Sequence, residues 1–190
     1  MAHKPGLRLV AGFIVLSACG TPTLTTSEPL TSSTTTPGGT MQITSPAFVN
    51  NSPIPDIYTC RGDDINPPVD ITGVPAEAMS LVLLVVDPDA PDPAAPKVVW
   101  DHWVMWNIAP GTSTIEPGTV PAGAVQGTNS WGRNDYGGPC PPIGTHRYFF
   151  KLFALDTTLA LGTTSFKADV EMAMQGHVLD QAELIGLYGE

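Results

Sequence analysis

A mostly β protein is the fold class this sequence predicts, and three observations carry it. Twenty prolines and 19 glycines punctuate the chain, a density of turn formers that bounds short strands and interrupts helices. Leu81-Val82-Leu83-Leu84-Val85-Val86 is an unbroken β-favouring run, of the kind that lies buried on both faces of a sheet. Helical periodicity is scarce until the last stretch of the chain.

The N-terminal residues stand apart from that fold. Residues 1–18 open with Lys4 and Arg8 and continue into the apolar run from Leu9 to Leu16, too short to span a bilayer but suited to a signal peptide. Leu16-Ser17-Ala18-Cys19 resembles the bacterial lipobox, in which the cysteine is lipidated and becomes the new N-terminus. That resemblance implies a lipoprotein anchored through Cys19 at the extracytoplasmic face of the cell membrane. The alternative is cleavage nearby, with Cys19 an ordinary cysteine. Residues 19–40 are rich in Thr, Ser, Pro and Gly and hold hardly any large apolar side chain. Such a segment cannot offset its ordering entropy by burial, so it reads as a flexible, disordered tether.

Residues 41–190 remain for one domain with a sizeable core. Removing the signal leaves six Lys and Arg against 18 Asp and Glu, a formal charge of −12. That charge argues against nucleic acid as a partner and against electrostatic binding to anionic headgroups. A local anion pocket stays open, because dipoles and hydrogen bonds set such sites. With Cys19 lipidated, Cys60 and Cys140 are left as a disulfide pair in an oxidising compartment. Their wide separation lacks the local spacing of a structural zinc site.

Taken in order, Met41-Gln42-Ile43, Ala47-Phe48-Val49 and Ile57 to Cys60 are short strand candidates, followed by Val69-Asp70-Ile71. The run from Leu81 ends at Asp87, where Pro88 removes a backbone donor and fixes φ. The chain resumes as a strand from Val98 to Ile108, and strict alternation puts Val98, Trp100, His102, Val104 and Trp106 on one face. A loop-rich region from Pro110 to Ile143 leads to the strand Arg147–Leu155, where His146, Tyr148, Phe150, Leu152 and Ala154 share a face. A helix is expected from about Phe166 to Tyr188, N-capped by Thr164 or Ser165 and with room for a break near His177 to Asp180, with Val170, Met174, Val178 and Leu179 as its apolar stripe.

Two stretches could carry chemistry. The first is the acidic turn at Asp87 facing His102 among aromatics. The second is the stretch from Gly127 to Tyr148, whose glycines allow close backbone approach and whose prolines stiffen the loop that delivers His146. Composition alone leaves a plain Gly/Pro connection as an equal reading of the second. Asp87-Pro88-Asp89-Ala90-Pro91, then Trp100-Asp101-His102-Trp103, then Gly137-Gly138-Pro139-Cys140-Pro141-Pro142-Ile143-Gly144-Thr145-His146-Arg147-Tyr148 resemble the phosphatidylethanolamine-binding protein family, in its bacterial Raf-kinase-inhibitor-like branch.

The resemblance implies a Greek-key β-sandwich with a C-terminal helix. It also implies a pocket for a phosphate or phosphorylated headgroup, lined by Asp87, Trp100, His102, Pro141, Pro142, His146 and Tyr148, and a role as inhibitor or regulator of a partner protein. No cofactor and no catalytic residue are expected. Two protonatable histidines would hold the anion, with binding strengthening at mildly acid pH. Two rivals remain: a metal-dependent enzyme using Asp87, His102 and His146 as a two-His-one-carboxylate set, and a ligand-free structural surface protein. The anchor is directly testable. Cys19→Ser should release the protein from the membrane fraction, and a variant that stays membrane-bound like wild type would contradict the assignment.

Overall fold

The computed structural model describes residues 40–190; the expectations for the signal peptide, Cys19 and the tether up to residue 39 lie outside the described residues. Nine strands and one short helix follow in order: β1 (Gln42–Thr44), β2 (Ser52–Pro53), β3 (Val69–Thr72), β4 (Ser80–Asp87), β5 (Trp100–Ile108), β6 (Thr114–Ile115), β7 (Val125–Gln126), β8 (Thr145–Leu155), α1 (Lys167–Ala173) and β9 (Val178–Gly189). They form a three-stranded sheet ordered β1-β3-β6 and a six-stranded sheet ordered β2-β9-β8-β4-β5-β7. The chain leaves β5 on one side of β4 and returns as β8 on the other, which is Greek-key connectivity.

Every residue of β4 is buried, as its unbroken apolar run predicts. One core cluster joins Ile43, Ile71 and Ile115 of the small sheet to Leu83, Val85, Met105, Phe150 and Leu152 of the large one. A second cluster lies on the opposite face, where Val82, Leu84 and Val86 meet Val170 and Met174 of the helix region. Each fully buried aliphatic or aromatic side chain contributes about 1.5–3 kcal/mol, so the strand serving both clusters anchors the domain.

Strand β5 departs from strict alternation. Trp103 pairs with Val85 and Asp101 with Val86, so His102 is an extra residue opposite the β4 ladder. At this bulge the side-chain phase inverts. Trp100 and His102 stay on the Tyr148 side, while Val104 and Trp106, expected beside them, pack in the second cluster, and Trp103 and Met105 face the interior.

The C-terminal helix is also corrected. Only Lys167–Ala173 is helical, and Val178–Gly189 is a strand paired antiparallel with β8 from Thr145↔Gly189 to Leu155↔Val178. Gly176 at φ +79° reverses the chain after Met174. Beyond it Leu184, Gly186 and Tyr188 follow strand alternation, and Val178 and Leu179 are exposed instead of extending the helical stripe. The helix is capped at Phe166, whose N–H donates to the Asp169 carboxylate at 2.9 Å, and not at Thr164 or Ser165. Residues Asp56–Tyr58 form a 3-10 turn where Ile57 to Cys60 suggested a strand, and Ala47 to Val49 joins no ladder although Phe48 enters the core.

Cys60 and Cys140 are disulfide-bonded, with Cα atoms 5.5 Å apart. The bridge is reinforced by the Cys60 N–H, which donates to the Pro139 carbonyl at 3.2 Å, and the Gly138 N–H, which donates to Asp64 Oδ1 at 2.7 Å. A Cβ at Gly138 would lie 2.6 Å from that carboxylate oxygen, so only glycine fits there. Closing a loop of 80 residues stabilises by about 4–5 kcal/mol in the chain-entropy model. Replacing both cysteines by serine should therefore lower the unfolding temperature markedly, and mass spectrometry of the protein isolated without reductant should find no free thiol at either position. Two free thiols there would contradict the pairing.

Candidate functional site

The acidic turn after β4 grips the start of β8 with both of its carboxylates. Asp87 Oδ1 accepts the Asp89 N–H at 2.8 Å, an Asx-turn, while Oδ2 lies 2.7 Å from His146 Nδ1, with both side chains buried. His146 Nε2 faces the Ile143 carbonyl at 3.1 Å. Both partners of His146 are acceptors, so the two bonds form together only when both ring nitrogens carry hydrogen. Next along the chain, Asp89 accepts from the Arg147 backbone N–H and Nε, each at 2.9 Å, and from Nη2 at 2.7 Å. Those donors hold the Asp89 carboxyl below the usual carboxylate range. The Ala90–Pro91 peptide that completes the turn is cis.

His102 is held from the other side. Its Nδ1 lies 2.6 Å from the Gly137 carbonyl, and the Gly137 N–H donates back to the His102 carbonyl at 3.0 Å. A carbonyl only accepts, so Nδ1 carries the hydrogen and Nε2 of the neutral ring is a bare acceptor. The imidazole packs edge to face against Trp131 and Tyr148, at centroid distances of 5.0 and 5.1 Å. A Cβ at Gly137 would sit 2.4 Å from the Trp131 ring, so glycine allows this approach. Burial pushes the His102 imidazole down to about 4. The expectation of two freely protonatable histidines is therefore corrected: His102 is neutral at mildly acid pH.

All seven residues expected at the site line one cavity of about 320 Å³. Asp87 comes from β4, Trp100 and His102 from β5, Pro141 and Pro142 from the disulfide-pinned loop, and His146 and Tyr148 from β8. Trp131, Ala90, Pro91 and Cys140 complete the walls and were not among the lining residues expected from sequence. Trp131 was the most legible of them, as an aromatic inside the Gly-rich stretch. Two buried polar atoms on lining residues, Trp100 Nε1 and Tyr148 Oη, have no hydrogen-bond partner. Burial raises the Tyr148 phenol further above its ordinary value, so it stays protonated. Both Trp100 Nε1 and Tyr148 Oη are shut off from water, whereas His102 Nε2 is a ring acceptor without a partner among the described residues.

The two-His-one-carboxylate set does not form. Asp87 and His146 spend ligand atoms on each other, His102 Nδ1 is committed to Gly137, and among the described residues no three His, Cys, Asp or Glu side chains are grouped to hold a metal ion.

Fold and site together define a Greek-key β-sandwich with a ligand-sized cavity at one end of its larger sheet. The family profile described as phosphatidylethanolamine-binding protein matches residues 44–189. A UPF0098 protein of Methanothermobacter thermautotrophicus is 50% identical over 78% of this chain and 98% of its own length. The crystal structure of a phosphatidylethanolamine-binding protein homolog from Chlamydia trachomatis superimposes with a TM-score of 0.75 at 42% identity, covering 80% of this chain and 98% of that one. YbcL of E. coli, described as a member of the mammalian family, gives a TM-score of 0.71 at 29% identity over 79% of this chain and 98% of its own. The chain belongs to the phosphatidylethanolamine-binding protein family.

Proposed function

We propose that this protein is a lipid-anchored, extracytoplasmic binding protein whose cavity takes a phosphate or a phosphorylated headgroup. The observation that carries the reading is convergence: seven residues spread from Asp87 to Tyr148 meet around one cavity of about 320 Å³, large enough for a small ligand. Trp100, His102 and Tyr148 line it and carry hydrogen-bonding groups not spent on the rest of the protein, and such groups in a water-poor site act more strongly than in bulk solvent. Binding fits these residues better than catalysis, because Cys140 is tied up as a disulfide and no serine lines the cavity. The family resemblance supports a further role as inhibitor or regulator of a partner protein, exercised from the membrane through the Cys19 anchor.

His102 is the residue to test. Losing a hydrogen bond to a charged ligand costs about 1.5–3 kcal/mol, so His102→Ala should weaken binding of phosphate and phosphoethanolamine tenfold or more in calorimetric titration. The variant should keep a cooperative thermal transition. Equal binding by the two proteins would remove His102 from the site, and no binding by wild type would remove the anion reading.

A further inference from the structure

The hydrogen inventory of the cavity is lopsided around His102. Nδ1 is committed to the Gly137 carbonyl, and Nε2 makes no hydrogen bond among the described residues. The titratable groups around the imidazole are Asp87 from β4, His146 and Tyr148 from β8, and Asp64 from the turn that the disulfide loop grips. None of them gives Nε2 a hydrogen. His146 has none to spare, since its ring nitrogens face the Asp87 carboxylate and the Ile143 carbonyl. A ligand that pairs with this nitrogen must bring a hydrogen of its own to Nε2.

We infer that the cavity selects singly protonated oxyanions, hydrogen phosphate and phosphomonoesters, over sulfate and phosphodiesters, because His102 Nε2 accepts the ligand's own P–O–H hydrogen. The inference rests on the anion-binding reading above and names the chemical class of its ligand. A phosphomonoester keeps one ionisable hydrogen until its second pKa near 6, whereas sulfate and phosphodiesters keep none at these pH values. Those anions can make the same bond only if His102 itself takes up a proton. With the imidazole at about 4, that uptake weakens binding about a hundredfold at pH 6. A site built to hydrogen-bond a group in this way rejects the analogue that lacks it.

The pH dependence follows with a definite sign. Between about pH 4 and pH 6 the free ring is neutral and the monoester already carries the shared hydrogen, so affinity is flat. Above about pH 6 the monoester loses that hydrogen and its affinity falls about tenfold per pH unit, while inorganic phosphate still keeps one.

Calorimetric titration of the purified protein with inorganic phosphate, methyl phosphate, sulfate and dimethyl phosphate, at about pH 5.5 and about pH 8, reads this directly. At the lower pH, phosphate and methyl phosphate should bind at least tenfold more tightly than sulfate and dimethyl phosphate. Methyl phosphate should lose about a hundredfold at the higher pH. His102→Gln, whose carboxamide presents either an oxygen or an NH2, should bring the phosphate-to-sulfate ratio close to one while the protein stays folded. Sulfate and dimethyl phosphate binding as tightly as methyl phosphate, or methyl phosphate binding more tightly at about pH 8, would overturn the inference and leave the anion site standing. No heat with any of the four would overturn the site together with the inference.

Discussion

Two carboxylates separated by a single residue, Asp87 and Asp89, hold two consecutive basic residues, His146 and Arg147, and the geometry of the site depends on that clasp. Asp87 is the last residue of β4, Asp89 follows where Pro88 ends the ladder, and the basic pair opens β8, its neighbour in the sheet. Pairing along β4 and β8 brings the two segments into range, and the clasp then fixes their side chains. Without it Asp87 would be a buried carboxylate missing its histidine, which costs far more than an exposed pair gains. The Arg147–Asp89 pair is half open to solvent on the arginine side. Its contribution lies more in the orientation imposed by three donors on one carboxylate than in raw Coulomb energy.

The opposite wall is built from backbone and covalent constraints instead of charge. The disulfide, the Gly138–Asp64 bond and the two-way exchange between Gly137 and His102 fix the loop that carries Pro141 and Pro142. The bulge at His102 matters here: it lets His102 and Trp103 both turn to the inner side, the first toward the cavity and the second into the core. A strongly acidic chain thereby keeps a small, largely apolar-walled cavity whose polar atoms are few and mostly committed. Affinity for an anion then depends on which atoms still have a hydrogen to give or a lone pair to offer.

Much of this was legible in the sequence, for identifiable reasons. The unbroken run of β4 and the alternation of β8 read correctly because burial on two faces and on one face leave different periodicities. The Cys60–Cys140 pair followed from counting cysteines in a chain expected to be exported. The ordered motifs around Asp87, His102 and His146 placed seven lining residues. Other features had no local signal. The β5 bulge is a mismatch in pairing count between strands, so alternation put Val104 and Trp106 on the wrong face. The spacing of Val170, Met174 and Val178 matched a helix across the reversal at Gly176, which hid β9. The Asp89–Arg147 pairing spans 58 residues, and the neutral state of His102 arises from burial that only the tertiary structure supplies.

The central claim, that the acidic turn and the start of β8 form one coupled unit, is tested most directly by a double-mutant cycle on Asp87→Asn and His146→Gln. Unfolding free energies of the two single variants, the double variant and wild type would be measured in denaturant. The buried charge-assisted pair predicts a coupling of about 1.5 kcal/mol or more. Effects that add to within about 0.5 kcal/mol would contradict it.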